Sequence, residues 1–278
     1  MFKKKEARSP AQSAQRAEYL RVQKARDRAV IFWQVFIIVC FVALWEVLAR
    51  LGVIDSFIMS RPSRILSTLG NLRGNGLATH IGVTCFETLA GFVLGVISGN
   101  LIALILWWSP FLSRIMQPYL VVLNALPKIA LGPVIIIWVG AGQQAIIVMA
   151  LAISLIVTVL EMLNGFLGTD PELVKMARTF GAGKWQTFTK IIFPSNLKTL
   201  FSSLKINIGL SLVGVIAGEF LVSRAGLGYL IVYGGQVFQM DLVMTSVLIL
   251  ALLAALLYKG VTRLEGMVLE AVSHTKRQ

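Results

Sequence analysis

The longest stretch without a charged side chain limits what this chain can fold into. Residues 129–160 are 32 consecutive uncharged residues, most of them apolar. As one straight helix this run would be about 48 Å long, well beyond the roughly 30 Å hydrocarbon core of a bilayer. Gly140 and Gly142, followed by two glutamines, supply turn-forming residues within it. The run therefore predicts two membrane-spanning helices rather than one.

The composition agrees, because too few charged residues are present to cover a water-facing surface. Apolar residues make up 56% of the 278 residues, charged residues only 14%, and the mean hydropathy is +0.78. A soluble domain has about half apolar and a quarter charged residues. Membrane lipid must therefore cover much of the surface, and it is the first partner that the sequence predicts.

Six apolar segments predict an all-α, polytopic membrane protein with six transmembrane helices. The predicted spans are residues 30–49, 83–108, 116–139, 145–167, 199–222 and 242–258, the last with an additional turn at one or both ends. They divide the chain into a basic N-terminal segment (1–29), a transmembrane domain (30–267) and a C-terminal tail (268–278). In the second span a small residue recurs every fourth position, at Gly91, Gly95, Gly99 and Ala103. This stripe predicts the close approach of another helix.

Positive charges predict the orientation of the spans. Nine of the 26 Lys and Arg residues fall within the first 28 residues, immediately before the first span. Basic residues recur in residues 168–198 and in the C-terminal tail. Because basic segments flanking a span stay in the cytoplasm, both termini and the 168–198 segment are expected there. We interpret the basic N-terminal segment in this way rather than as a nucleic-acid-binding tail.

The segment 169–194 is longer and more apolar than a simple connector between spans. Thr169 or Asp170 can cap a short helix, and Gly181 is suited to its left-handed end. A second short helix is expected to end at Pro194. Each helix should present an apolar face, formed by Leu173, Met176, Ala177 and Phe180 in the first and by Trp185, Phe188, Ile191 and Ile192 in the second. Such faces need cover, either from the membrane surface or, as we favour, from a docked soluble partner.

The same segment resembles the cytoplasmic coupling motif of ABC importer permeases. That motif reads Glu-Ala-Ala, three residues, Gly, nine residues, Ile, one residue, Leu-Pro. This chain has Lys175-Met176-Ala177, Gly181, Ile191 and Phe193-Pro194 at that spacing, with Lys175 replacing the acidic residue and Phe193 replacing leucine. The resemblance implies ATPase-coupling residues at Lys175, Met176, Ala177, Phe180, Gly181, Ala182, Gly183, Lys184, Trp185 and Pro194.

The resemblance covers most of the chain and points to one branch of these permeases. Residues 124–133, Asn-Ala-Leu-Pro-Lys-Ile-Ala-Leu-Gly-Pro, look like the broken third span of the nitrate, sulfonate and taurine branch. Residues 217–231 are similar to the end of its fifth span and the external loop that follows. Glu87 departs from the pattern, because that branch often carries arginine there. The chain thus resembles the type I, binding-protein-dependent permeases of this branch.

The resemblance also implies the assembly and the substrate. A permease of this type works as a dimer, most simply of two identical copies, in the bacterial inner membrane. Its partners are two ABC ATPase subunits and an external substrate-binding protein. The branch favours a small anion such as a sulfonate, taurine or nitrate. The alternative substrate class is a vitamin precursor, either the pyrimidine of thiamine or riboflavin.

The sequence lacks the motifs of an ATPase or of another enzyme. Gly181-Ala-Gly-Lys184 is followed by Trp185 and does not have the spacing of a phosphate-binding loop. ATP and Mg²⁺ are therefore expected on the partner subunit, with no cofactor or metal on this chain. Paired catalytic carboxylates, a nucleophile triad and a metal-ligand pattern are also missing from the sequence. An ion-coupled carrier is the remote alternative, and the coupling motif argues against it.

Polar residues inside the spans need an explanation, because a charge at mid-span costs about 2.5–3.5 kcal/mol on insertion. Glu46 is expected either to reach the membrane surface or to pair with Arg50, and Glu161 is expected to pair with Lys205. A helix break at Pro127 would free backbone groups that only protein or a water-filled cavity can satisfy. We predict a translocation path near Asn124, Pro127, Lys128, Asn207, Ser211, Glu219 and Glu87. The alternative is that these residues are interhelical hydrogen-bond partners. His80 is isolated in the sequence and is interpreted as a surface residue.

Overall fold

In a computed structural model, which describes residues 10–74 and 76–275, all regular structure is helical. The helices are α1 Pro10–Arg50, α2 Pro62–Gly74, α3 Leu77–Trp108, α4 Pro110–Ala125, α5 Gly132–Val139, α6 Gln143–Leu167, α7 Pro171–Thr179, α8 Lys184–Thr187, α9 Phe193–Ser195, α10 Leu197–Val222, α11 Leu227–Gln236 and α12 Met240–Thr275. A 3-10 turn, Lys128–Leu131, precedes α5, and a π-helical turn, Phe188–Ile192, joins α8 to α9. The predicted all-α class is confirmed.

Within the described ranges, five helices are long and apolar enough to cross a membrane, and a bent pair is the sixth candidate. The five lie in α1, α3, α6, α10 and α12. The predicted third span is broken, because α4 and the segment Lys128–Val139 meet at 86°. Leu126 is extended, with ψ of 140°, as expected for a residue that precedes a proline. The prediction of a helix break at Pro127 is therefore confirmed.

Helix ends differ from the predicted spans where apolar composition was the only guide. The second predicted span began at residue 83, but α3 begins at Leu77. The sixth was predicted to end within one turn after residue 258, but α12 continues to Thr275 and would be about 54 Å long. Charged residues such as Lys259 are good helix formers, so the helix continues after the apolar segment has ended. Hydropathy located the apolar part of each helix and missed its polar extensions.

The chain divides into two units, residues 1–66 and 67–278. In the first unit, α1 exposes apolar side chains along most of its described length, including Phe32, Trp33 and Phe36, whose rings contact one another. Glu46 Oε1 accepts a hydrogen bond from Arg50 Nε at 2.6 Å, which confirms the predicted pair. Glu46 Oε2 also accepts from the backbone N–H of Ser63 at 3.0 Å.

In the second unit, α6 packs against both α3 and α10 through small residues. The glycine stripe of α3 faces α6, and a Cβ built on Gly99 would lie 2.6 Å from the Cβ of Thr158. On the other helix, a Cβ built on Gly214 would lie 2.6 Å from the Cα of Ala150. Both distances are too short for real carbon atoms, so each glycine allows its helix to approach closely. The predicted packing role of the α3 stripe is confirmed.

One predicted ion pair within the spans is wrong. Lys205 Nζ bonds Glu265 Oε2 on α12 at 3.0 Å and does not pair with Glu161. Glu161 Oε2 is a buried atom that has no hydrogen-bond partner among the described residues. The pairing of Lys205 is set by the packing of α10 against α12, between residues 60 positions apart, and local sequence spacing does not reveal it.

Candidate functional site

The first helix of the 169–194 loop forms as its end signals predict. Asp170 Oδ1 accepts a hydrogen bond at 2.9 Å from the backbone N–H of Glu172, and this caps α7. Of the two predicted caps, Asp170 takes the role. The helix ends before Gly181, whose φ of 78° lies in the left-handed region. A glycine adopts this conformation without the steric cost that a Cβ would add.

The second half of the loop is anchored in the core of the chain. Phe188 and Ile192 are buried in a cluster with Phe166, and the Phe166 and Phe188 rings lie 5.3 Å apart in an edge-to-face arrangement. The prediction that Phe188 and Ile192 share with Trp185 a face available to a partner is wrong. The π-helical turn at Phe188–Ile192 belongs to the core cluster, and Trp185 is left 58% exposed.

Lys184 joins the loop to the end of α3. Its Nζ donates to the backbone carbonyl of Trp108, the last residue of that helix. The same ammonium lies 5.8 Å from the ring of Trp107 and 5.1 Å from the ring of Trp108, within the range of cation–π attraction. The last carbonyls of a helix have no partner within the helix, so Lys184 satisfies one of them. Lys184 therefore connects the start of α8 to the end of α3.

Asn196 closes the loop at its base. Its Nδ2 donates to Thr169 Oγ1 at 2.8 Å, across 27 residues, and to the carbonyl of Ile192 at 2.9 Å. Asn196 is 6% exposed, and a Cβ on Gly165 of α6 would lie 2.8 Å from its Oδ1. The first and last parts of the loop are therefore held together beside α6. Our sequence predictions missed Asn196, because its partner Thr169 was considered only as a helix cap.

The apolar tip of the loop consists of Met176, Phe180 and Trp185, which are 49%, 84% and 58% exposed. Lys175 beside them is exposed as well. The small residues of the motif support the tip from behind: Ala177 is buried, and its carbonyl accepts from the N–H of Ala182 at 3.0 Å. Such a tip buries its apolar area only when another molecule covers it.

The remaining motif residues shape the loop. Gly183 precedes α8, and its N–H donates to Gln186 Oε1 at 2.9 Å. Pro194 is half-buried in α9, at one of the first two positions of the helix, where proline is well tolerated. Helical backbone therefore continues through Pro194, because α9 begins at Phe193 directly after the π-helical turn. The prediction that Pro194 ends the second helix is wrong.

At the opposite end of α3, two buried carboxyl groups lie together. Glu87 and Glu219 are each 1% exposed, and their carboxyl groups interact with each other. Glu219 Oε1 accepts from Thr84 Oγ1 at 2.6 Å, and Glu219 Oε2 accepts from the backbone N–H of Gly228. We call Thr84, Glu87 and Glu219 the carboxyl cluster. The structure brings these two predicted path residues together.

The carboxyl cluster also positions the start of α11. Thr84 Oγ1 accepts a hydrogen bond from the N–H of Leu227 at 2.8 Å. The N–H of the next residue, Gly228, donates to Glu219. Free N–H groups at a helix start favour such acceptors. His80 Nδ1 accepts from the N–H of Gly226 at 3.0 Å, and its ring stacks on Tyr229 at 6.0 Å. His80 is half-buried, so its interpretation as an isolated surface residue is wrong.

The other predicted path residues are separate from the carboxyl cluster. At the break between α4 and the 3-10 turn, Lys128 Nζ donates to the carbonyl of Asn124 at 2.9 Å, while Asn124 and Pro127 are exposed. Asn207 and Ser211 are fully buried in α10. Asn207 Nδ2 donates to the carbonyl of Ser203 at 2.9 Å. Lys128 therefore satisfies a backbone carbonyl that the helix break has freed.

An apolar groove of about 760 Å³ lies beside this break. Its lining includes Ile129, Ala130 and Pro133 from the segment after the break, together with side chains of α10 and α12. The groove offers almost no polar atoms. It is therefore a surface for apolar contact and has no residue set that would hold a metal ion or perform acid–base chemistry.

Comparison with known proteins agrees with this architecture. The family model described as "Binding-protein-dependent transport system inner membrane component" matches residues 91–272. The chain is 26% identical over 255 residues to a putative aliphatic sulfonates transport permease of Bacillus subtilis (strain 168), with 91% of this chain and 92% of that protein covered. It is 26% identical over 226 residues to a formylaminopyrimidine transport permease of Halalkalibacterium halodurans, with 81% and 90% covered.

The fold is also shared with a solved transporter. The structure is similar to a chain of the MetNI methionine ABC transporter in an inward-facing conformation, with a TM-score of 0.62 and 20% identity. The similarity covers 69% of this chain and 95% of that one. Because the family match extends over more than half of the sequence, the chain belongs to the binding-protein-dependent transport system inner membrane components and is the multi-pass, non-catalytic permease subunit of an ABC importer.

Proposed function

We propose that two copies of this chain form the translocation path of an importer for a small organic anion, and that each copy couples to one ATPase subunit through residues 169–194. The observation that carries the coupling proposal is the exposed apolar tip on an anchored loop. Met176, Phe180 and Trp185 are exposed, while the segment after them is fixed in the core through Phe188.

The tip has the properties of a docking surface for a soluble protein. Burying a Phe or Met side chain stabilises an interface by about 1.5–3 kcal/mol, so three such residues are enough for a specific contact. Lys175 adds a positive charge where related motifs carry an acidic residue. An acidic or neutral surface on the ATPase would complement Lys175, and the usual pairing with a basic group would be repulsive.

The coupling mechanism follows from the anchors of the loop. When the ATPase subunits close on ATP, they would displace the two tips. Lys184 would transmit this movement to the end of α3 through Trp108. Asn196 would transmit it to α6 and α10, because it holds Thr169 against the segment that enters α10. The spans would then tilt together and turn the path from inward-facing to outward-facing.

The remaining partners and the orientation belong to the same proposal. Both termini and the 169–194 loop face the cytoplasm, as the positive charges predict. The carboxyl cluster, at the other end of α3, then lies on the outer side, where an external binding protein delivers the substrate. Two identical copies are the simplest assembly, and lipid covers the exposed apolar sides.

Two substrate classes are supported by related proteins. The name of the Bacillus subtilis relative favours a sulfonate, which agrees with the prediction of a sulfonate, taurine or nitrate. The name of the Halalkalibacterium halodurans relative, formylaminopyrimidine permease, favours the alternative of a vitamin precursor such as a thiamine pyrimidine or riboflavin. We propose the small anion first and keep the pyrimidine as the second candidate.

Replacing Phe180 with alanine tests the docking role. Because the side chain is 84% exposed, folding should be unaffected, whereas the lost contact should weaken ATPase binding by about 10-fold to 150-fold. Binding is measured by co-purification of the two subunits and by titration of the ATPase onto the permease in nanodiscs. Arg178→Gln, exposed on the side of α7 that faces away from Met176, is the matched control. Equal binding by Phe180→Ala and wild type would contradict the proposed docking surface.

A further inference from the structure

A second cavity lies beside the carboxyl cluster and has a different character from the apolar groove. Its volume is about 510 Å³, within the roughly 300–1,000 Å³ range of small-molecule pockets. It is lined by Glu87 of α3, by Gln143 at the start of α6, and by Ser223 and Arg224 after the end of α10. We call it the Glu87 pocket. It combines a carboxyl group, an amide and a guanidinium group in one concave surface.

The two carboxyl groups of the cluster differ in how the protein satisfies them. Both oxygens of Glu219 accept hydrogen bonds, one from Thr84 and one from Gly228. Glu87 Oε2 is buried and accepts no hydrogen bond from any residue in the described ranges. A buried oxygen without a donor is energetically unfavourable. The protein therefore supplies donors to both oxygens of Glu219, whereas Glu87, whose carboxyl group also interacts with Glu219 and Gln143, lines the pocket and keeps one oxygen without a donor.

The chemistry of the lining defines the ligand. Glu87 accepts hydrogen bonds, so it requires N–H donors, and it suits an amino or ammonium group best. Arg224 is exposed at the pocket and carries only donors, so it suits a sulfonate or a carbonyl oxygen. A ligand that fits both groups has an amino group at one end and an anionic or carbonyl group at the other.

We propose that the Glu87 pocket is a subsite for an amine-bearing substrate, which places its amino group on Glu87 and its anionic or carbonyl group at Arg224. This inference rests on the proposed importer function and narrows its substrate class. Aminosulfonates and aminopyrimidines both fit, because they share the amino donor. Nitrate and simple alkanesulfonates offer no donor to Glu87, so the pocket discriminates against them.

The test compares probes that differ only in the amino group. The full chain in lipid nanodiscs is titrated with radiolabelled taurine, with ethanesulfonate, which has the same sulfonate but no amine, and with formylaminopyrimidine. Wild type should bind taurine more tightly than ethanesulfonate. Glu87→Gln should weaken the binding of taurine and formylaminopyrimidine by about tenfold or more, and leave ethanesulfonate unchanged.

A second variant tests the Arg224 end of the pocket and leaves the carboxyl cluster unchanged. Arg224→Gln should weaken taurine and ethanesulfonate alike and affect formylaminopyrimidine less. Glu161→Gln is the matched control, because Glu161 also has a buried oxygen without a partner in the described part of the chain but does not line the pocket. Its binding of all three probes should equal that of wild type. If taurine outranks formylaminopyrimidine, the substrate is an aminosulfonate, and the reverse order indicates an aminopyrimidine.

Two results would overturn the subsite. One is equal binding of taurine and ethanesulfonate by wild type, and the other is an equal loss of both in Glu87→Gln. ATPase binding is measured on the same samples. Normal ATPase association together with either result would refute the subsite and leave the importer proposal standing. Loss of ATPase association in wild type would instead refute the coupling proposal, independently of the probe titrations.

Discussion

Replacing Asn196 with alanine should separate ATP hydrolysis from transport. Asn196 Nδ2 donates two hydrogen bonds, to Thr169 Oγ1 at 2.8 Å and to the Ile192 carbonyl at 2.9 Å. A neutral hydrogen bond contributes about 0.5–1.5 kcal/mol, so the two together favour the closed base of the loop by about 1–3 kcal/mol. Their loss changes the ratio of closed to open loops by roughly 5-fold to 150-fold.

The Asn196→Ala variant should still bind its ATPase subunit. Met176, Phe180 and Trp185 are untouched, so association of the ATPase and its hydrolysis rate should equal those of wild type. Movement of the tip would, however, no longer reach α10 through Asn196, and less substrate should enter for each ATP hydrolysed. The assay reconstitutes the permease with its ATPase and binding protein in proteoliposomes. Substrate uptake and phosphate release are then measured in the same sample.

Thr189→Val is the matched control for this experiment. Thr189 Oγ1 donates to the Trp185 carbonyl at 2.9 Å within the same loop, but this bond does not connect the two ends of the loop. Uptake per ATP should therefore equal that of wild type. If Asn196→Ala retains a wild-type ratio of uptake to hydrolysis, the loop does not need its closed base, and the lever mechanism is refuted. Loss of ATPase binding in Asn196→Ala would refute the separation of docking from transmission.

Two further predictions concern packing within the spans. Gly214→Ala should lower the free energy of unfolding by about 1–3 kcal/mol, because its Cβ would lie 2.6 Å from the Cα of Ala150. Gly209→Ala on the same helix meets no atom within 4 Å and should leave the free energy of unfolding unchanged or raise it by up to about 1 kcal/mol, because alanine favours a helix more than glycine does. Thermal unfolding in detergent checks both variants. Lys205→Glu should lower the unfolding midpoint by replacing a 3.0 Å ion pair with repulsion, and the added change Glu265→Lys should restore it. A double variant as unstable as the single one would contradict the pairing.

The features that the sequence predicted well are those decided by nearby residues. Asp170 caps the start of α7 and Gly181 follows its end, as expected. Both features depend only on residues that are close in the sequence. The break at Pro127 follows in the same way from the missing N–H of proline. The glycine stripe of α3 also predicted packing correctly, because glycines at every fourth position of a helix allow another helix to approach closely.

The features that were missed join residues far apart in the sequence. Asn196 meets Thr169, Lys205 meets Glu265, and His80 meets Gly226, across 27, 60 and 146 positions. Each of these polar groups has several possible partners in the sequence, and only the packing of the helices selects one. Burial of Phe188 was missed for a related reason, because an amphipathic pattern does not show whether its apolar face meets the chain itself or a partner.

The positions of the two proposed sites on α3 suggest how they communicate. Trp108, at the end of this helix, accepts from Lys184 of the loop, and Thr84 and Glu87 near its beginning belong to the carboxyl cluster. Between them, Gly91, Gly95 and Gly99 allow α3 to pack closely against α6. We therefore infer that α3 and α6 move as one rigid body. Displacement of the loop would then tilt both helices and change the spacing between Glu87 and the Ser223–Ala225 side of the pocket, which lies after α10. Such a change would alter the affinity for an amine-bearing substrate at the moment the path opens, because Glu87 and Arg224 are both needed to bind the substrate.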